Sequence, residues 1–193
     1  MRTSGILMHI SSLPSPYGIG TMGKEAYRFV DFLCKADQSW WQMLPVGQTS
    51  YGDSPYQSFS SYAGNPYFID LDFPIRDRLL KKEEVSGINW GEDPLAVDYG
   101  RIYENRFSVL RIACGRLKEK LPKDYKTFEK EQKGWLHTYA LFMALKDAHN
   151  GKSWMEWEEP LRFRQKEAIR EAEKKYAKEI EFYKLIQYLF FHC

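Results

Sequence analysis

The period of the apolar positions changes along the chain, and each change predicts an element. Gly5-Ile-Leu-Met-His-Ile10 is short, apolar and led by a glycine, the pattern of a buried strand. From Lys24 to Ala36 the residues Ala26, Phe29, Val30, Leu33 and Ala36 recur at helical spacing, which predicts an amphipathic helix. Trp40–Leu44 returns to a strand-like run and is stopped by Pro45, which cannot donate to a ladder. Strand, helix and strand within about forty residues make a βαβ unit, and such a unit implies a parallel sheet.

Beyond Pro45 the pattern changes character. Residues 45–67 form a long loop rich in Gly, Ser, Pro and Tyr, and Tyr67–Leu71 reads as a short extended piece. From about Arg101 the spacing is helical over roughly 101–119, 124–149 and 160–191, with Trp135, Leu136, Tyr139, Ala140 and Met143 as an apolar stripe. Of the 21 residues from Leu161 to Glu181, 12 are Arg, Lys or Glu, a solvated face with pairs such as Glu171 and Lys175. Phe182, Tyr183, Leu185, Ile186, Tyr188, Leu189, Phe190 and Phe191 then make the last helix apolar nearly all round, so it is expected to be buried on several sides. Two strands form a marginal sheet by themselves. The expectation is therefore a chain that stops partway through a larger α/β domain; a short protein whose sheet a partner completes is the alternative.

Composition narrows the function classes. With 44% hydrophobic and 28% charged residues, the 193-residue chain reads as an ordinary soluble globular protein. A net charge of +2 gives no electrostatic case for nucleic acid or an anionic membrane. No apolar stretch approaches a membrane span, and the N-terminus lacks a signal-peptide layout. Cys34, Cys114 and Cys193 are odd in number and widely spaced, which suits a reducing cytoplasm and gives neither a disulfide framework nor a zinc site. The four histidines are scattered, so a metal site built from this chain alone is not expected.

Gly18, Gly20 and Gly23 spell G-x-G-x-x-G, with Lys24 next. A dinucleotide fingerprint places its first glycine directly after the strand and an acidic residue at the end of the second strand. Here Ser11 to Tyr17 intervene, stiffened by Pro14 and Pro16, while Trp40–Leu44 has no acid and Asp37 lies before it. The Walker pattern that would recruit Lys24 is absent as well. The glycines read instead as backbone freedom, letting a stiff loop double back and start the helix close against the sheet.

Residues 40–68, WWQMLPVGQTSYGDSPYQSFSSYAGNPYF, hold eight aromatics and one charge, Asp53. Flat apolar faces beside neutral hydrogen-bonding groups match a sugar, whose ring faces are apolar and whose rim carries hydroxyls. The window also follows the C-terminal end of a parallel strand, where α/β folds place ligands. A loop merely anchored to the core by its aromatics is the competing reading; Trp40, Trp41 and Phe68 are expected in the core. Tyr56, flanked by Gly52-Asp53-Ser54-Pro55, is harder to assign to packing because Gly and Pro fix an exposed turn, and the same holds for Tyr51.

At these residues the sequence resembles the 4-α-glucanotransferases of the amylomaltase (disproportionating enzyme) family, glycoside hydrolase family 77. The matching stretches are HISSLPSPYGIGTMG at 9–23, WWQMLPVGQTSYGDSPYQSFSSYAGNPYFIDL at 40–71, VDYGRIYENR at 97–106 and YALFMALKDAH at 139–149. The resemblance implies an α/β fold, a partial (β/α)8 TIM barrel with a large helical insertion. On that layout residues 1–66 start the barrel and carry its substrate loop, 67–180 form the mostly helical insertion, and 181–193 return to a barrel helix. It implies a transferase of carbohydrate metabolism acting on α-1,4-glucans and malto-oligosaccharides by retaining double displacement, without cofactor, metal, nucleic acid or membrane, in the cytoplasm.

The resemblance also distributes the roles. Tyr56 matches the tyrosine that stacks beneath the sugar at the cleavage site, with Ser54 hydrogen-bonding nearby. Tyr51 and Tyr103 match the aromatics of a second glucan site. The family's aspartate nucleophile, glutamate acid and second aspartate come from later barrel strands, so no catalytic residue is assigned here and the chain alone is expected to be inactive. Acid and nucleophile of a retaining pair stand about 5–5.5 Å apart. Asp70 and Asp72 alternate on one segment, but nothing nearby would separate their proton affinities as such a pair needs. Asp53, in the turn, is the better candidate for a structural hydrogen bond.

Overall fold

The computed structural model describes residues 2–49 and 52–192. β1 (Gly5–Leu7) and β2 (Trp40–Gln42) pair in parallel, with Gly5 opposite Trp40, Ile6 opposite Trp41 and Leu7 opposite Gln42. Between them runs α1 (Lys24–Lys35), so the βαβ unit predicted from the apolar pattern is present. Met8 still donates its N–H to the Gln42 carbonyl at 3.0 Å, and the chain then bends into a 3-10 turn at Ile10–Ser12. The strands are thus shorter than their apolar runs.

Their burial also differs from expectation. Leu7 is 59% exposed and Trp40 66%, and on α1 only Leu33 is buried while Val30 and Phe32 face outward. Trp40 is a surface residue whose indole N–H donates to Thr3 Oγ1 at 3.1 Å, not a core residue. Trp41 is half-buried; its indole donates to the Met8 carbonyl at 2.7 Å and its ring meets Phe29 edge-on at 4.9 Å. Phe68 is core, as expected. Parallel strands are ordinarily covered on both faces, and the described residues leave this pair partly open.

The loop from β1 to α1 does double back. Gly20 donates its N–H to the Ser11 carbonyl at 3.2 Å, and Met22 donates to Phe68 at 2.9 Å. Gly18 takes φ +75° with the Trp90 backbone against it. At Gly23, immediately before α1, any side chain would overlap the Asp70 carboxylate. The glycine motif is a close-packing device.

Tyr67–Leu71 is not an extended strand. Pro66–Phe68 forms a 3-10 turn because Pro66 presets φ and Asn65 accepts the Tyr67 N–H at 3.0 Å. Short helices α2 (Asp72–Arg76) and α3 (Glu83–Ser86) lead to α4 (Tyr99–Glu119), whose first turn is capped by Asp98 accepting from the Arg101 N–H at 3.0 Å. Ile102, Arg106, Val109, Leu110, Ala113 and Leu117 line its buried face.

The chain divides into two compact units, Met1–Lys120 with Leu189–Cys193, and Leu121–Tyr188. The second is helical: α5 (Tyr125–Glu131), α6 (Leu136–Ala148), α7 (Glu159–Arg162), α8 (Lys166–Lys175) and most of α9 (Ala177–Phe191). The continuous helices expected over 124–149 and 160–191 are broken, the first around Gly134, a poor helix former, and the second at Arg164, which takes φ +51°. As expected, α9 is buried at Ile180, Phe182, Leu185, Ile186 and Phe190. Within the second unit its polar tips find partners: Tyr183 donates to Asp147 at 2.6 Å and Tyr188 to Asp124 at 3.0 Å.

Candidate functional site

The aromatic window past the C-terminal end of β2 folds as an irregular hairpin. Gly47 pairs antiparallel with Gly64, and Thr49 with Ser58. Asn65 donates its N–H to the Val46 carbonyl at 2.9 Å, fixing the base. Gly52 (φ +89°) and Asp53 (φ +53°) reverse the chain at the tip. Ser54-Pro55-Tyr56-Gln57 closes as a turn through the Gln57 N–H and the Ser54 carbonyl at 3.0 Å, with Ser54 Oγ accepting from the Tyr56 N–H at 3.4 Å. Ser54 and Tyr56 therefore belong to one turn, and Tyr56, 73% exposed, is presented to solvent. A neutral ring held out on a turn is the kind of surface on which an apolar ring face can stack. Tyr51 lies outside the described residues.

Tyr103 projects from α4 and is 68% exposed. Its ring meets Phe107 edge-on at 6.4 Å, and Phe107 meets the buried Tyr67 at 6.1 Å. Burial pushes the Tyr67 phenol far up; the charges of Asp53 and then Tyr103 push it further, and Arg106 opposes them. Asp53 and Tyr103 thus both raise the Tyr67 phenol. Tyr99 is also shifted upward, by burial and then by Asp53. Asp53 itself is raised by burial, against the Thr49 hydroxyl that donates to it at 3.5 Å.

Asp70 and Asp72 serve the packing. Buried Asp70 accepts the Thr21 hydroxyl at 2.7 Å and the Asp72 N–H at 2.9 Å, and Asp72 accepts the Tyr17 hydroxyl. Arg106, fully buried on α4, donates to the Ile69 carbonyl at 3.3 Å and the Tyr17 carbonyl at 3.2 Å, and lies 5.0 Å over the Trp90 ring. Sequence reasoning passed over it, although its signal was present: Arg106 occupies a core position in the Ile102, Val109, Ala113 spacing. Among the described residues no group of three or more His, Cys, Asp or Glu could hold a metal, and no helix is long and apolar enough to cross a membrane.

The family profile described as 4-alpha-glucanotransferase matches residues 8–193. This chain belongs to the 4-alpha-glucanotransferase family. It is 47% identical over 184 residues to the 4-alpha-glucanotransferase of Clostridium butyricum, covering 95% of this chain and 38% of that protein. The Thermus thermophilus 4-alpha-glucanotransferase is 45% identical over 194 residues, covering 98% of this chain and 38% of its own length. The chain therefore spans about two-fifths of the 4-alpha-glucanotransferases it matches. Its fold superposes on the amylomaltase of Streptococcus agalactiae, solved in complex with acarbose, with TM-score 0.95 and 40% identity over the whole of this chain and 39% of that one. A mostly helical architecture with a short parallel sheet is shared with that amylomaltase.

Proposed function

We propose that this chain supplies the glucan-binding face of a 4-α-glucanotransferase, which moves α-1,4-glucan segments between malto-oligosaccharides by retaining double displacement. The observation that carries the reading is the charge-poor hairpin past β2, with exposed Tyr56 on a turn shaped by Ser54 and exposed Tyr103 on the neighbouring α4. Tyr56 and Ser54 bind sugar at the cleavage site; Tyr103, with Tyr51, forms the second glucan site. β1 and β2 are the opening strands of a (β/α)8 barrel, residues 67–180 its helical insertion and 181–193 a returning barrel helix. The nucleophile and acid belong to the part of the family polypeptide beyond the matched two-fifths, because the nearby carboxylates Asp70 and Asp72 are occupied in packing. The exposed, unpaired Cys34 fits a cytoplasmic setting.

A second reading, a glucan-binding chain completed by another polypeptide, is favoured by the open β1–β2 face, where Leu7 and Trp40 are exposed. Calorimetric titration with maltoheptaose tests the binding they share: saturable binding by the chain, reduced about tenfold or more in Tyr56→Ala, is expected from loss of a stacking aromatic. Absence of binding in the parent, or an unchanged affinity in the variant, removes the glucan reading. Disproportionation of maltotriose by a preparation free of host enzyme would show instead that the chain holds its own catalytic carboxylates.

A further inference from the structure

His149 caps the C-terminal end of α6 in the helical unit and is half-buried. Its Nδ1 lies 2.7 Å from the Leu145 carbonyl oxygen, and its Nε2 lies 2.8 Å from Glu158 Oε2. A carbonyl oxygen only accepts hydrogen bonds, and so does an ionised carboxylate. Neutral imidazole has one N–H, so it can serve one of these oxygens and must turn a lone pair toward the other. Both contacts are made together by the imidazolium form, which carries a proton on each nitrogen.

The surroundings suit that cation. The ring stacks on the buried Trp157 indole at 5.0 Å and 22°, a face that attracts positive charge, and it sits at the negative end of a helix. Glu158 is ionised: the bond from His149, and then its own backbone N–H, hold its carboxyl below the usual range. The other charges nearby are accounted for. Lys175, at the end of α8, acts on Glu158. On α6, Asp147 accepts the Tyr183 hydroxyl, and Lys146 donates to the Gly151 and Lys152 carbonyls. The connection after α6 is also fastened by the Ser153–Glu156 capping box, whose groups keep their charge near neutrality. The joint at His149 is the one that a proton can undo.

We propose that His149 is a proton-operated clasp between the end of α6 and the start of α7. It is closed on Glu158 while the ring holds two protons and open once Nε2 has given its proton to water. Nε2 is the nitrogen that lets go, because the Leu145 carbonyl is fixed in the helix end while the Glu158 side chain is 70% exposed and free to swing out. A lone pair then faces a carboxylate, Trp157 loses the cation on its face, and residues 154–160 loosen. Histidine changes charge between about pH 5 and 8, so the clasp works in that interval. The inference is independent of the glucan reading.

The test follows the ring nitrogen resonances of His149 and the backbone order parameters of residues 154–160 in the labelled 193-residue chain, from about pH 5 to 8. At the acid end both nitrogens should read as N–H, and Nε2 alone should lose its proton as pH rises. The order parameters should fall over the same interval, from about 0.85 toward about 0.6. In Glu158→Gln they should stay level, because the amide can accept from Nε2–H or donate to the bare nitrogen. Order parameters in the parent that ignore the ring's titration overturn the clasp. So does a proton lost from Nδ1 in place of Nε2, or a ring with one N–H across the whole interval. All three outcomes are read in the parent, so they decide even where Glu158→Gln fails to fold.

Discussion

Asp70 and Asp53 lie 17 residues apart in the first compact unit, and their surroundings are opposite. Asp70 is buried, its two oxygens taken by the Thr21 hydroxyl and the Asp72 N–H, with Gly23 packed against it. Asp53 stands at a reversed hairpin tip with one long bond to Thr49. The first arrangement is what a fold does with a carboxylate it uses; saturation in a low-dielectric interior converts a costly group into a staple. The second, among the described residues, leaves acceptor positions open on the turn that carries exposed Tyr56. The region around residues 11–23 and 65–72 is therefore built to hold, whereas the hairpin tip leaves polar and aromatic groups exposed.

The sharpest way to break that contrast is Asp70→Ala. It orphans the Thr21 hydroxyl and the Asp72 N–H in the interior, and should lower the free energy of unfolding in urea by about 2–5 kcal/mol. An unchanged midpoint would deny the packing role. Tyr17→Phe comes next: it removes the hydroxyl that Asp72 accepts and should cost about 1–3 kcal/mol in the same assay. Between the two extremes sits Glu84, which takes a bidentate grip from Arg116 at 2.6 and 2.7 Å and the Lys81 N–H at 2.8 Å. The Arg116 hydrogen bonds bring its carboxyl down from 4.5 to about 2. Its contribution is complete above the ordinary carboxylate pKa and is lost as pH falls from about 4.5 toward 2. Melting curves over that window should drop more steeply in the parent than in Glu84→Gln; equal slopes would show that the pair adds nothing. Asp53→Asn has the smallest expected effect on stability. Because folding raises its carboxyl, the ionised form opposes the fold, so at neutral pH the variant should melt with or slightly above the parent.

The parallel βαβ unit was legible because period and punctuation agreed: an apolar run, a helical stripe, a second run and a proline. The purpose of Gly18 and Gly23 was legible for a similar reason, since seven residues and two prolines separate the strand from the first glycine. The 3-10 turn at Pro66–Phe68 was hidden under Tyr67-Phe-Ile-Asp-Leu71, whose β-forming residues outweighed the Asn65-Pro66 signal that set the local backbone. Trp40 was misplaced because large rings ordinarily mark the interior, whereas burial depends on what lies across the sheet. Arg106 escaped because periodicity is scored on apolar residues, and its guanidinium occupies a core position through backbone carbonyls and the Trp90 ring. At the candidate site the turn chemistry marked Tyr56 as hard to assign to packing, while the roles of Ser54 and Tyr56 came from the family resemblance. The chain of rings from Tyr103 through Phe107 to Tyr67 is tertiary and needed the fold.

The open β1–β2 pair has a consequence for handling the protein. Among the described residues no further strand flanks the β1–β2 pair, and beside outward-facing Leu7, Trp40, Val30 and Phe32 another extended segment can add. A net charge of +2 is too small to keep copies apart by repulsion. For the 193-residue chain handled by itself, a charged substitution at Trp40 is therefore expected to reduce association in concentrated solution.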